Sequence, residues 1–146
     1  MSFSQRLRSL QQVREFNEGR QAGVLSKAFV RQQERQHKLE ELRSYLGEYE
    51  SRQSEIHDPL LLANHAAFLN RIRSAIQSQG QAVNEAGRQL AQERARLLLA
   101  RRDRSVLDQL AAHYARQDAR REQAESQDQQ DECAQRRRPP TVMAGI

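Results

Sequence analysis

The sequence predicts an all-α protein in which two long helices form an antiparallel two-helix coiled coil, an α-hairpin. Three observations support this class: an apolar heptad pattern in the second half, a helix-forming composition, and one proline break between two helical segments. A stripe with a period of 3.5 residues keeps facing another helix only when the two helices wind around each other. The break supplies that partner from the same chain, because a short connection between long helices favours antiparallel neighbours.

The predicted second helix carries the heptad pattern as one seam, in which spacings of three and four residues alternate from Leu62 to Tyr114. The seam consists of Leu62, His65, Leu69, Ile72, Ile76, Gln79, Val83, Ala86, Leu90, Glu93, Leu97, Ala100, Arg104, Leu107, Ala111 and Tyr114. We expect Gln79, Glu93 and Arg104 to extend towards solvent, as long polar side chains do at the edge of a thin seam. The alternative is that they are buried and fix the register of the two helices.

The break lies at His57-Asp58-Pro59. Proline disfavours helix in the preceding residue and suits the first turn of a new helix, for which Asp58 is a suitable N-cap. These boundaries predict a single coiled-coil domain over 1–135, with helix one over about 3–56, helix two over about 59–134, and a disordered tail over 136–146.

The predicted first helix has a less regular apolar stripe. Phe3, Leu7 and Leu10 begin it, and Leu39, Leu42, Leu46, Tyr49 and Ile56 resume it after a polar interval. Between Arg31 and Lys38 the stripe is polar, and two glycines weaken the preceding turns. We therefore expect the heptad register to shift in this interval, with a looser or bent coil.

Folding the chain at residue 58 pairs residues whose numbers add to roughly 117, because each helix rises by about 1.5 Å per residue. Tyr49 then meets Phe68, Tyr45 meets Ile72, and Leu42 meets Ala75 or Ile76. Helix one reaches back only to about Tyr114. The polar stretch from Ala115 to about Ala134 is predicted to protrude as a C-terminal helix, which is marginal in water until a partner holds it.

Composition excludes several classes of protein. Only 37% of the 146 residues are hydrophobic, against about 45–50% in an average globular domain, which favours a thin seam over a compact core. The net charge of +5 is compatible with a nucleic acid or an anionic membrane surface, but acidic residues interleave with the basic ones, so we expect no nucleic-acid partner. The apolar runs at Leu60–Ala63 and Leu97–Ala100 are too short to cross a bilayer, so we expect no membrane insertion.

No pattern of catalytic or metal-binding residues is present. Phosphate-binding glycine loops, HExxH and CxxC are all missing, and the four histidines are scattered. His57 and His65 lie near the break, but two ligands do not make a zinc site. Cys133 is the only cysteine, so an intrachain disulfide is impossible, and a lone cysteine fits a reducing cytoplasm. We expect no enzyme activity and no cofactor.

Aromatic residues gather close to the break. Tyr45, Tyr49 and Phe68 are three of the seven aromatic residues, and with Leu42, Ile72 and Ala75 they widen the seam to one side. A two-stranded coil does not bury a face of this width. We therefore expect an exposed docking patch for a third element. Local packing around the turn is the alternative.

At these residues the chain resembles the flagellar export protein family FliJ. The likeness rests on Leu39-x-x-Leu42-x-x-Tyr45-x-x-x-Tyr49, on Phe68-Leu69 and Ala75-Ile76-x-x-Gln79, and on the ending Asp131-Glu132-Cys133-Ala134. It covers nearly the whole chain. The resemblance implies a two-helix stalk whose ends enter the hexameric export ATPase and promote its assembly and turnover. It also implies contacts with a membrane export gate and with export chaperones, and a cytoplasmic location, peripheral at the cytoplasmic face of the inner membrane.

The resemblance further implies two sets of site residues. The export-gate patch would be Leu42, Tyr45, Tyr49, Phe68, Ile72, Ala75 and Gln79. The ATPase-ring contact would be Phe3, Leu7, Asp131, Glu132 and Arg136. Three alternatives stay open at this point: the equivalent stalk of a virulence type III secretion system, a basic coiled coil that binds nucleic acid, and a self-associating structural coil.

Overall fold

The computed structural model describes residues 2–137 and contains two long helices. Helix α1 spans Phe3–Ser51, a 3-10 turn spans Gln53–Glu55, and helix α2 spans Pro59–Arg137. The two helices pack against each other as a helical hairpin, which confirms the predicted all-α class. Gly19 and Gly23 do not interrupt α1.

Side-chain caps fix where both helices begin. Ser2 and Gln5 form a reciprocal capping box: the Gln5 amide N–H donates to Ser2 Oγ at 3.4 Å, and the Ser2 amide N–H donates to Gln5 Oε1 at 3.3 Å. At α2, Asp58 Oδ1 accepts from the Leu60 amide N–H at 3.0 Å, which makes Asp58 the N-cap that the sequence indicated. Pro59 occupies the first helical position, where a missing N–H leaves no bond unmade.

Both helix ends differ from the sequence prediction. Helix α1 stops at Ser51, because the chain tightens into i→i+3 bonds from Glu55 N–H to Arg52 and from Ile56 N–H to Gln53, and then turns extended at Ile56. Helix α2 continues to Arg137, and its two basic last residues suit the negative end of the helix dipole. Residues 136 and 137 of the predicted disordered tail are thus helical, and residues 138–146 lie outside the described part of the chain.

Contacts divide the described residues into two packed units. The turn unit comprises residues 15–102, and the terminal unit comprises residues 2–14 together with 103–137. In the turn unit the predicted seam of α2 is confirmed: Leu69, Ile72, Ala86, Leu90 and Leu97 are buried. The other α2 seam residues of this unit are half-buried, apart from Leu62, which is exposed at the start of the helix.

The facing seam of α1 in the turn unit keeps a regular heptad spacing, so the predicted register shift between residues 31 and 38 is wrong. Its members are buried or half-buried: Glu18, Gln21, Leu25, Ala28, Gln32, Arg35, Leu39, Leu42, Leu46 and Tyr49. In the polar stretch between residues 31 and 38, side chains form hydrogen bonds to the backbone of the other helix, as do those that face it from α2. Gln79 Nε2 donates to the Arg35 carbonyl at 2.9 Å, and Arg35 Nη1 donates to the Ala82 carbonyl at 3.5 Å.

A second polar layer of the turn unit lies at Glu93. Gln21 Nε2 donates to both the side chain and the carbonyl of Glu93, and Arg96 pairs with the other carboxylate oxygen at 2.8 Å. Only 13% of the Glu93 side chain is exposed. The expectation that Gln79 and Glu93 extend into solvent is therefore wrong. The alternative is correct for both residues: they lie in the seam and bond across it to the other helix.

In the terminal unit, the start of α1 packs against Tyr114 of α2. The Phe3 and Tyr114 rings meet edge-to-face with centroids 4.7 Å apart, and Leu7 is buried in the seam beside them. Ser4 Oγ donates to Asp118 Oδ2 at 2.8 Å. Arg104, the third polar seam residue, remains close to half exposed and ion-pairs with Asp108 at 3.9 Å. Beyond Asp118, every residue of α2 from 119 to 137 is exposed.

Candidate interaction surfaces

An aromatic cluster surrounds Tyr49 in the turn unit. The ring of Phe68 meets that of Tyr49 edge-to-face at 4.9 Å between centroids, which confirms the predicted pairing of these two residues. Tyr45 stacks one turn away at 6.3 Å, and the guanidinium of Arg52 lies over the Tyr49 ring at 5.4 Å. Helix α1 and helix α2 each supply part of the cluster, so its geometry depends on the seam between them.

The cluster is packed locally around the turn, and part of it is also open to solvent. Tyr45 is 55% exposed and Phe68 is 40% exposed, although both touch or flank Tyr49. Tyr49 itself is half-buried. An edge of apolar rings held at fixed spacing is a typical contact surface, because the rings lose little further freedom on binding.

The structure sorts the predicted gate residues by accessibility. Tyr45, Phe68 and Ala75 are exposed, Leu42, Tyr49 and Gln79 are half-buried, and Ile72 is buried. The Gln79 amide is already engaged with the Arg35 carbonyl. Ile72 and Gln79 are therefore engaged in the seam between the helices, and Tyr45, Phe68 and Ala75 are the predicted gate residues that are open to solvent.

Leu60 and Leu61 are exposed apolar residues close to the turn that the sequence reasoning did not include. Both lie in the first turn of α2, before the heptad seam begins, and more than half of each residue is exposed. The available signal was the run Leu60-Leu61-Leu62 directly after the proline, which is more apolar than one seam position requires.

The predicted ring-binding residues lie at two separate places in the terminal unit. Phe3 is about half exposed beside Tyr114, and Leu7 is buried. Asp131, Glu132 and Arg136 are exposed on the last turns of α2. Asp131 follows Tyr114 by 17 residues, which is roughly 25 Å along a helix, so the structure does not bring the two sets together.

The exposed end of α2, residues 119–137, differs in chemistry from the seam. Acidic residues occupy its middle, namely Glu122, Glu125, Asp128, Asp131 and Glu132, and basic residues flank them on both sides. Its few apolar members are small, such as Ala124 and Ala134. A helix of this composition has no apolar stripe with which to pack, and the side chains that it presents to solvent are polar and charged.

Within residues 2–137, no three histidine, cysteine or acidic side chains come together as metal ligands. The space beside Phe3 and Tyr114, about 420 Å³, is an open groove whose charged lining groups are Asp118 and Arg121. Within the same range, neither helix contains a stretch apolar and long enough to cross a bilayer.

Two long helices that pack against each other along a seam with polar layers define a helical hairpin protein. The flagellar FliJ protein family matches residues 3–138, and the chain belongs to that family. It is therefore a component of the flagellar export apparatus, with a structural role of the kind that is generally non-enzymatic. Neither a curated protein nor a solved structure matches the chain closely enough for comparison.

Proposed function

We propose that the chain is the central stalk of the export ATPase, and that its exposed C-terminal helix enters the hexameric ring and activates it. The observation that carries this proposal is the exposure of every residue from 119 to 137. A polar helix without tertiary packing is marginal in water, so a surrounding partner is what would hold it. Family membership supports the same reading, because export components work in contact with one another.

The two predicted ring sets take different parts in this proposal. Asp131, Glu132 and Arg136 are accessible charged groups, and they contact the inner surface of the ring. Phe3 offers an exposed ring at the start of α1, while buried Leu7 anchors that turn in the seam. The N-terminal turns therefore contact the ring opening, and the C-terminal turns reach further inside.

A truncation tests the ring contact. Removal of residues 119–146 leaves every seam contact of the terminal unit in place, including Ser4 with Asp118 and Phe3 with Tyr114. We expect the full chain to bind its cognate ATPase and raise ATP turnover, and the shortened chain to do neither. Pull-down and a phosphate-release assay measure the two effects, and circular dichroism checks that the hairpin remains folded.

A point variant refines this test. Asp131→Ala with Glu132→Ala should reduce binding, whereas the matched control Glu125→Ala with Asp128→Ala, on the same exposed helix, should reduce it less. Absence of both binding and stimulation by the full chain would contradict the stalk proposal. Equal effects of the two double variants would mean that total negative charge, and not this site, governs binding.

The exposed aromatic cluster is the proposed contact with the membrane export gate, with Leu42, Ile72 and Gln79 supporting Tyr45, Tyr49, Phe68 and Ala75. Export chaperones are further partners. The chain would work in the cytoplasm, peripheral at the cytoplasmic face of the inner membrane. Among the alternatives, the flagellar family match favours this role over a virulence stalk, a nucleic-acid-binding coil or a self-associating structural coil.

A further inference from the structure

One side of the turn unit carries apolar side chains that neither the seam nor the proposed partner contacts use. A groove of about 270 Å³ runs between the two helices there, lined by Ala22, Leu25, Ser26, Phe29, Leu90 and Arg94. Phe29, on its rim, is 46% exposed. Leu98 follows Arg94 by four residues, which places it on the same face of α2, and it is 65% exposed. We call this surface the basic groove.

Two cations accompany the basic groove: Arg94 lines it, and Arg102 follows Leu98 by one turn of α2. Both are exposed, and neither makes an ion pair or hydrogen bond with another residue of the described range 2–137. Lys27 follows Ser26 in sequence but lines the neighbouring shallow groove. Two acids lie nearby: Glu34 lines the neighbouring shallow groove, and Glu18 already pairs with Arg101 at 3.6 Å.

We propose that the basic groove binds an acidic amphipathic helix of a partner protein. Two packed helices present ridges and a groove into which a third helix fits, with apolar side chains of the incoming helix as anchors. Phe29 and Leu98 supply the apolar contact, and Ala22 and Ser26 let a backbone approach closely. Arg94 and Arg102 complement carboxylates beside those anchors.

The geometry favours a helix over a membrane surface as the occupant. A protein that lies on a bilayer presents a broad apolar face that inserts between the lipids. Here Leu25 and Leu90 lie at the floor of a groove, and only Phe29 and Leu98 rise at its edges. The inference is independent of the proposed ring and gate contacts, because it uses none of their residues.

The test uses the full chain and two synthetic peptides. Each peptide has about 20 residues and the same leucine heptad face, and the flanking positions are Glu in one and Lys in the other. Fluorescence anisotropy should show that the Glu peptide binds at least about tenfold more tightly than the Lys peptide. A tenfold ratio of dissociation constants corresponds to a difference in binding free energy of about 1.4 kcal/mol. Its affinity should also fall as salt rises.

Adjacent leucines provide a matched control. Leu98→Asp should weaken binding of the Glu peptide about tenfold or more, since it places a like charge at the apolar anchor. Leu99→Asp should leave binding unchanged, because Leu99 is 58% exposed but points roughly 100° further round α2. Both residues are exposed, so circular dichroism should report the same helicity for both variants.

Charge reversal gives a second control pair. Arg94→Glu with Arg102→Glu should reverse the preference towards the Lys peptide, whereas Arg20→Glu with Arg71→Glu makes the same change in net charge on other faces and should not. Equal binding of both peptides, or none of the Glu peptide at about 1 mM, overturns the proposal. Binding of the chain to phosphatidylglycerol vesicles would also overturn the proposal if Leu98→Asp abolished it while the Glu peptide still bound. The same holds for self-association, seen as concentration-dependent sedimentation, if Leu98→Asp abolished it while the Glu peptide still bound.

Discussion

Gln21 and Glu93 occupy seam positions at which two leucines would bury more apolar surface. The Gln21 amide bonds the Glu93 carboxylate across the seam, and Gln79 does the same with the Arg35 carbonyl. A polar group buried without its partner costs about 1–3 kcal/mol, so a slip of one helix along the other would leave both layers unsatisfied. These residues therefore act on register, which apolar contacts alone specify weakly in a coil of this composition.

Buried seam leucines supply most of the packing energy, and Leu90 is one of the clearest examples. Leu90→Ala should lower the free energy of unfolding by roughly 2–4 kcal/mol, because it removes a buried side chain and leaves a cavity. Leu99→Ala, on the exposed face, should change it by less than about 0.5 kcal/mol. Urea denaturation followed by circular dichroism measures both. Similar losses in the two variants would contradict the seam assignment.

The aromatic cluster yields a residue-level prediction about binding. Tyr49→Ala with Phe68→Ala should weaken binding to the export gate, since it removes the pair of rings that meet at 4.9 Å. Helicity should survive, because Phe68 is exposed and Tyr49 is only half-buried at the end of its seam. A binding assay with the cytoplasmic part of the gate, with Tyr45→Phe as a conservative control, measures the effect. An equal loss of helicity and binding would show that the rings are only structural.

At the scale of the element, α2 joins two environments in one continuous helix. Residues up to Asp118 have a facing helix, and residues 119–137 are entirely exposed. Local stability follows packing, so the free energy of opening should fall from the seam towards the end of α2. In the absence of tertiary contacts, only the backbone bonds and the charge pattern hold the last turns.

Hydrogen exchange measures this gradient. Amides of residues 120–137 should exchange faster than those of residues 86–97 by roughly two orders of magnitude, because opening near the end costs almost nothing while opening at the seam costs about 3 kcal/mol or more. Binding of the ATPase should slow exchange in the exposed segment alone. Uniform protection along α2 in the free chain would mean that the segment packs against something that the structure does not include.

At the scale of the whole molecule, the chain is strongly charged but mixed in sign, with 24 basic and 19 acidic residues. Long-range attraction for a polyanion is therefore weak despite the basic isoelectric point.

This charge mixing predicts poor binding to nucleic acid. Duplex DNA of random sequence should bind with a dissociation constant no tighter than about 10 μM at 150 mM salt, within the range of non-specific binding. Fluorescence anisotropy with a labelled duplex, repeated at several salt concentrations, is the measurement. Tight binding of the duplex that weakens steeply as salt rises would support the alternative that the chain is a coiled coil that binds nucleic acid.

The sequence predicts the seam of helix α2 correctly because Leu, Ile and Ala fill most of its positions, and their spacing shows the heptad period. It does not predict the seam of helix α1, because Gln21, Gln32 and Arg35 occupy seam positions while Phe16 and Val30 lie outside the seam. Hydrophobicity alone then suggests a shift that cross-helix hydrogen bonds make unnecessary.

The aromatic cluster and its Tyr49–Phe68 contact followed from pairing numbers across the turn. The basic groove does not follow from this pairing, because its lining depends on which side of each helix lies next to the seam. That choice requires the register of both helices, including Leu90 facing Phe29 and Ala22, and the α1 register was predicted incorrectly.

Cys133 is the only cysteine of the chain and lies exposed within the free end of α2. A maleimide dye or a nitroxide can therefore be attached at this one position without mutating any other residue. A spectroscopic reporter placed there would change its mobility or emission when the segment becomes enclosed. The native sequence thus provides its own probe for the timing of engagement, in a single-molecule or stopped-flow format, without an engineered label site.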